Sequence, residues 1–315
     1  MTEPSITNRE LTGHPEVPRN DEGLFQMRNR ATLFRPGLLA MALVILGCGV
    51  LMMPASGLAQ TACPPTINAC GCTIVKAGSY KLGLAINSTQ GLTPAGACIE
   101  VASSFVILDG GKKNITGPGG TTPSGIGVWV HRPFHTDFIE FRGSTVSGWD
   151  VGVLVQSSQS VIDDVTANSN GTAGVELASA SAIELTNTTA ETNLNYGIWL
   201  KQTSTSDVTN SKTETNGNIG LYVGCSSLGP IGSGCPGVGP SPGNYIFTGN
   251  IQGNTNYGVA LDLGAKSTIV TNQTETTAGS NSKDDLYDAN SSCGSNKWFG
   301  NFTGATNNQP GGCIK

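Results

Sequence analysis

Charge and aromatic rings are both scarce in this chain. Of its 315 residues, 12% are charged and 6% aromatic. Beyond residue 59 we count twelve Lys plus Arg against seventeen Asp plus Glu. An acidic surface of this kind excludes nucleic acid and anionic lipid as expected partners. It also weighs against a polyuronate, which would be repelled. Helical spacing of apolar residues is missing as well, so helices are not expected to build the fold. Histidine and arginine are the rarest resource. Past residue 59 the chain has two of each, and all four lie in HRPFHTDFIEFR, His131–Arg142.

Glycine is abundant, at 43 residues, and Asn, Thr and Ser are plentiful. Gly and Asn tolerate positive φ and Thr suits strands, so the composition points to a β-rich chain with many turns. Residues 1–59 stand apart. The apolar run GLLAMALVILGCGVLMM at 37–53 follows Arg28, Arg30 and Arg35, and Gly57 and Ala59 fit cleavage before Gln60. A secreted chain is the expectation, placed in the periplasm or at the cell surface, with no membrane contact after cleavage. A lipoprotein, through the ILGC stretch ending at Cys48, and an uncleaved anchor are the alternatives.

Cysteine usage agrees with export. Cys63, Cys70, Cys72, Cys98, Cys225, Cys235, Cys293 and Cys313 make an even set past the leader, which reads as disulfides. Spacing suggests Cys225–Cys235 and Cys293–Cys313, with the other four paired among themselves. Metal binding by Cys70-Gly-Cys72 is the alternative, but no second pair has ligand spacing.

A phrase Gly-apolar-x-apolar recurs as GVWV (127), GVLV (152), GVEL (174), GIWL (197), GLYV (220) and GVAL (258), and CIEV at Cys98 is one more copy without the glycine. The period is near 23, except for one long gap that contains an insertion at 225–242. Asn170, Asn193, Asn216 and Asn254 each precede a phrase by four residues. Strand-turn-strand content at this period predicts a parallel β-solenoid, in which equivalent residues stack about 4.8 Å apart. Phrase positions two and four, both apolar, fill the interior, and the Asn residues stack at one corner and hydrogen-bond between coils.

With GSYKLGLAI, then CIEVASSFVILDGGKKNITG, then these coils, then DLYD…C…NKW…C, residues 70–313 resemble the right-handed parallel β-helix repeat proteins, the pectate-lyase-like and NosD-like group. The resemblance implies a three-sheet right-handed coil. It does not imply an activity, because that group includes lyases, hydrolases, epimerases, adhesins and non-enzymes. The several Asp, Gly-His-Gly and Arg-x-Lys of the polygalacturonase type are absent, and no calcium-binding carboxylate cluster with an Arg base matches the pectate-lyase type.

Two surfaces are candidates. The first is the 131–142 region. His131, Arg132, His135 and Asp137 fall on a link between strands and could gather as acid, base or metal ligands. Glu140 and Arg142 point outward from one strand, with Asp163 beside Arg142 in the next coil, which is equally the pattern of a surface ion pair. The second is the outward position of the repeated phrase, which reads Glu100, Trp129, Leu154, Glu176, Trp199, Tyr222 and Ala260 down the stack. Trp129, Glu176, Trp199 and Tyr222 are its candidate ligand-binding residues, unless the insertion folds over the last two aromatics. Glu100 and Glu176, three rungs and about 14 Å apart, are too distant for a glycosidase pair.

No cofactor or metal is required by this reading, though Asp284, Asp285 and Asp288 could hold Ca²⁺. The expected organisation is a leader (1–59), an N-terminal cap (60–97), coils (98–283) and a C-terminal cap (284–315). The chain is expected to be a monomer that binds a polysaccharide or surface glycan. Polysaccharide lyase, hydrolase or epimerase chemistry at 131–142 is one alternative, and a structural surface role without catalysis is another.

Overall fold

The computed structural model describes residues 61–121, 123–131, 138–224, 241–247, 249–271, 281–282, 284–290 and 296–299. They form a parallel β-solenoid. One face is a ladder of ten strands, here sheet A, running from Thr61–Ala62 through Cys72–Ile74, Ala97–Val101, Ile126–His131, Val151–Gln156, Ala173–Ala178, Tyr196–Lys201, Ile219–Val223 and Tyr257–Leu261 to Asp284–Asp288. Sheet B, of fourteen strands, forms the rest, apart from a two-stranded pair of Ser241–Pro242 with Ala265–Lys266. Its early strands are long, such as Val161–Asn168, whereas later coils split the same path into two short strands, such as Glu184–Thr186 and Thr189–Glu191. The split falls at Asn187, whose φ is +49°. Among the described residues the one helical segment is a 3₁₀ turn, Ser88–Gln90.

The interior is apolar because positions two and four of every phrase point inward. Val128, Val153, Val175, Ile198, Leu221 and Val259 form one file, and Val130, Val155, Leu177, Leu200, Val223 and Leu261 the next, all fully buried. Ile99 and Val101 extend both files one rung earlier, so CIEV is a coil of the same kind. Sheet A continues directly across the insertion, since Tyr222 pairs with Ala260. The rungs also run past both ends of the expected coil segment. Cys72–Ile74 pairs below Ala97–Val101, and Asp284–Asp288 pairs above Tyr257–Leu261.

The asparagines build a buried ladder. Asn193 Oδ1 accepts from the N–H and the Nδ2 of Asn170, both at 3.0 Å, and Asn216, Asn254 and Asn281 repeat the arrangement up the stack. Each Nδ2 also donates to a backbone carbonyl, as Asn193 does to Ala167. This satisfies the corner backbone without water. The ladder also explains the repeated glycine. A Cβ on Gly174, Gly197, Gly220 or Gly258 would sit 2.7 Å from the Nδ2 of the next asparagine. At the foot of the ladder Trp149, fully buried, gives its N–H to Asn170 Oδ1 and its indole N–H to the Ile115 carbonyl.

The first coils are tied covalently. Cys63 pairs with Cys72 and Cys70 with Cys98. The four N-terminal cysteines thus pair among themselves, and the metal alternative for Cys70 and Cys72 is removed because both sulfurs are engaged. Cys225, Cys235, Cys293 and Cys313 lie outside the described residues.

Candidate functional site

The outward file of sheet A has the predicted order rung by rung, with Thr73 below Glu100 and Tyr287 above Ala260. Its two ends differ. At the N-terminal end, Glu100 is 5% exposed. Its Oε2 accepts from Thr73 Oγ1 at 3.1 Å, and its Oε1 lies 2.6 Å from His131 Nε2. The His131 ring stacks on Trp129 with centroids 4.0 Å apart. Trp129, half-buried, donates its indole N–H to Gln156 Oε1 at 2.8 Å. Four successive coils therefore converge on one cluster: Thr73, Glu100, Trp129 with His131, and Gln156. The cluster draws on both surfaces singled out in the sequence. Trp129 belongs to the outward stripe and His131 opens the 131–142 stretch.

Two rungs on from Trp129, Glu176 is 6% exposed. Burial pushes its carboxyl above the usual 4.5, while Lys201, with Nζ 3.2 Å from Oε1, opposes that shift and Asp150 adds slightly to it. The Lys201 ammonium also sits 4.5 Å from the centre of the Trp199 ring, a cation–π contact.

The C-terminal end is closed. Trp199 and Tyr222 are each 1% exposed and cluster with Tyr196, Ile219, Tyr257 and Ala260 outside the sheet, apart from the interior core. Trp199 donates to the Gly224 carbonyl at 2.9 Å, and Tyr222 to Asp262 Oδ2 at 2.6 Å. Tyr196, also buried and near Asp262, has its phenol pushed up to about 12. Of the candidate ligand-binding residues, Trp199 and Tyr222 are thus corrected here: both are buried and present no free ring face. The body of the insertion, residues 225–240, lies outside the described residues.

On sheet B, Arg142 Nη1 meets Glu140 Oε1 at 2.7 Å and Nη2 meets Asp109 Oδ2 at 3.5 Å. Those two carboxylates hold the guanidinium above its ordinary value, Glu140 contributing most. Asp163 is the register partner of Arg142, as predicted. Its carboxylate, however, accepts from Asn187 Nδ2 at 2.8 Å, and the second acid on Arg142 comes from the coil before, not the coil after. Arg132, His135 and Asp137 lie outside the described residues.

Among the described residues no group of three His, Cys, Asp or Glu side chains is placed to hold a metal ion. In the last rung, Asp288 accepts from the N–H and Nδ2 of Asn290, from Asn296 Nδ2 and from the Trp298 indole. Four N–H donors suit a carboxylate and not a cation. Asp285 likewise accepts from Asn281. Asp288 therefore ties Asn290, Asn296 and Trp298 to the last strand of sheet A.

Thr73, Gln156, Trp149, Phe105 and Phe138 were not singled out from the sequence. For Gln156 the signal was available. It lies one coil after His131 in the same outward file, and register alone brings them together.

The profile for the right-handed β-helix region matches residues 126–309. The chain belongs to that family. The coil is accordingly right-handed. A search of curated proteins finds no match. Among solved structures, the chain is similar to full-length tailspike protein 2 of a bacteriophage of Escherichia coli O157:H7, at 15% identity and a TM-score of 0.46, covering 66% of this chain and 31% of that one. It is similar to the enzymatically active domain of bacteriophage CBA120 tailspike protein 2, at 13% identity and a TM-score of 0.46, covering 70% and 37%. It is also similar to the A-module of the mannuronan C-5 epimerase AlgE6 of Azotobacter vinelandii, at 12% identity and a TM-score of 0.28, covering 69% and 80%. The match spans about a third of the tailspike chains.

Proposed function

We propose that this is an exported β-helix protein whose outer face binds a polysaccharide or cell-surface glycan at the Trp129 cluster. The observation that carries the reading is a half-buried indole fixed in place by Gln156, beside a carboxylate and an imidazole. An aromatic ring offers an apolar face to the C–H face of a pyranose, and the flanking acceptors and donors engage hydroxyls. The excess of acids past residue 59 favours an uncharged glycan. Export is supported by the two disulfides.

The test is a glycan array followed by calorimetry on the best ligand. Trp129→Ala should weaken binding about 10- to 100-fold, the scale of one aromatic contact, and should barely move the melting temperature. A wild-type protein that retains no glycan, or a variant that binds as well as wild type, would sink the proposal.

A second reading is turnover of the same glycan, as a lyase, hydrolase or epimerase. It is favoured by the 2.6 Å contact between Glu100 and His131, in which the acid orients an imidazole at the edge of the 131–142 stretch. Under this reading His131→Asn abolishes release of reducing ends, unsaturated ends or epimerised units while binding persists. A protein with neither binding nor turnover would leave the structural role.

A further inference from the structure

One corner of the solenoid turns on a single residue per coil. Register aligns Phe105, Phe138, Gln159, Ala182, Thr205, Gly243 and Ser267. Their φ values are 55, 40, 53, 52, 49, 70 and 55°, all left-handed. The same backbone seat thus accepts an amide, a methyl, a hydroxyl or a hydrogen. Nothing in the turn asks for phenylalanine, and a bulky side chain in this region carries a backbone cost. Solvation does not ask for it either. Phe105 is 60% exposed and Phe138 54%.

The two phenyl rings stack, with centroids 5.7 Å apart and planes 13° from parallel. They wall a cleft of about 330 Å³ whose other lining includes Ile107, Glu140, Gln159 and Val161. Ile107 also lines a second depression of about 340 Å³, with Ser79, Tyr80, Lys81, Asp109 and Arg142. The two make one trough on the outer surface of sheet B, aromatic at one end and hydrogen-bonding at the other. Its volume is in the range of small-ligand sites. Its charges balance, Lys81 and Arg142 against Asp109 and Glu140. Arg142 is engaged by both acids, and among the described residues no carboxylate pairs with Lys81.

We propose that this trough is a second carbohydrate site, taking a neutral pyranose against Phe105 and Phe138 and the hydroxyls of the adjoining sugar at Lys81 and Asp109. Rings exposed in a seat that does not need them, flanked by amide, carboxylate and ammonium groups with no net charge, match a hydroxyl-rich uncharged ligand. A purely apolar partner would leave those polar groups desolvated, and a charged one would meet no field. The proposal rests on the glycan-binding reading and adds a site to it.

The experiment uses the protein as exported and neutral hexasaccharides of the cello-, xylo-, manno- and chito- series, with a hexagalacturonate for comparison. The double variant Phe105→Gln/Phe138→Gln installs the residue that the next rung, Gln159, already carries in the same backbone conformation. It should keep its melting temperature and bind the preferred hexasaccharide at least 10-fold more weakly. Lys81→Ala, at the far end of the trough and outside the turn, should weaken it several-fold and guards against a folding defect in the double variant. If Trp129→Ala weakens binding and neither trough change does, this inference falls and the Trp129 reading stands. If no hexasaccharide binds the wild type, both fall. A wild-type dimer in light scattering that the double variant dissolves would assign the phenyl wall to self-association and overturn the carbohydrate assignment, as would tighter binding of hexagalacturonate than of every neutral ligand.

Discussion

Trp129 and Trp199 occupy the same outward position of the same repeated phrase, three rungs apart, and their surroundings are opposite. Trp129 is half-buried, with His131 on one side and Gln156 on its nitrogen. Trp199 is 1% exposed, with Tyr196 and Tyr222 against it and Lys201 over its ring. Their sheet-A strands match in length, Ile126–His131 and Tyr196–Lys201. What differs is the file alongside. Next to Trp129 the preceding outward file holds Ile126 and Val151, whereas next to Trp199 it holds Tyr196 and Ile219. Aromatics in two adjacent files make a cluster that buries itself, whereas an aromatic in one file keeps a wet edge. The N-terminal half of this face therefore keeps Trp129 at the surface, and the C-terminal half is a second small core.

Truncating the two tryptophans gives the largest separation. Trp199→Ala should cost about 3–5 kcal/mol, the usual range for removing a buried tryptophan. Trp129→Ala should cost far less stability and act on binding instead. Urea unfolding of both variants measures this. Equal losses of stability would erase the distinction between the halves.

The halves also differ in what ties their coils together, disulfides in the first and the asparagine ladder from Asn170 onward. Asn216→Ala removes the acceptor for Asn193 N–H and Nδ2 and the donor to the Ala190 carbonyl. Each group left buried and unpaired costs about 1–3 kcal/mol, and local relaxation recovers part of the sum, so a loss near 3 kcal/mol is expected. The change should be insensitive to reductant. Reduction should instead loosen the coils around Cys63–Cys98. Hydrogen exchange resolved by segment would show whether each tie protects its own half. Uniform loss of protection in both cases would mean that the solenoid unfolds as one unit.

Much of this was legible in the sequence because a parallel solenoid repeats each side-chain environment along its axis. Six copies of one phrase and the variant CIEV are enough to place Glu100, Trp129, Glu176, Trp199 and Tyr222 in a single file, and four asparagines are enough to define a ladder. The periodicity describes a coil's own neighbours above and below. It carries no information about what lies beside it, which is why it leaves the burial of Trp199 and Tyr222 open. Asp109 and Asp163 both stack on Arg142 in register, and Asp109 holds it while Asp163 is engaged by Asn187. The corners were also hidden. Glycine and asparagine were the expected left-handed residues, yet Phe105, Gln159, Thr192 and Thr205 hold such seats, because the stacked hydrogen bonds of adjacent coils over-determine the turn whatever residue fills it. Trp149 escaped because it replaces asparagine at the foot of the ladder with an unrelated side chain.

The smallest effect expected is one of pH, and it falls at the boundary between the open and closed halves. Glu176 lies two rungs after Trp129 and one before Trp199, and burial raises its carboxyl above 4.5. The sign follows from proton counting. As pH rises past 4.5 the unfolded chain releases this proton first, so the native state holds more protons in that window and stability falls with rising pH until the native carboxyl also ionises. Lys201 limits the width of the window, because its ammonium favours the charged form. Glu176→Gln should therefore flatten the dependence of the melting temperature on pH above 4.5. Lys201→Met should extend the decline to higher pH and also remove the contact with the Trp199 ring. Melting curves collected at intervals from pH 4 to pH 8 on the three proteins decide the matter. If wild type and Glu176→Gln run parallel across that range, the buried carboxyl is not the group that couples this face to pH, and the boundary between the halves is set by packing alone.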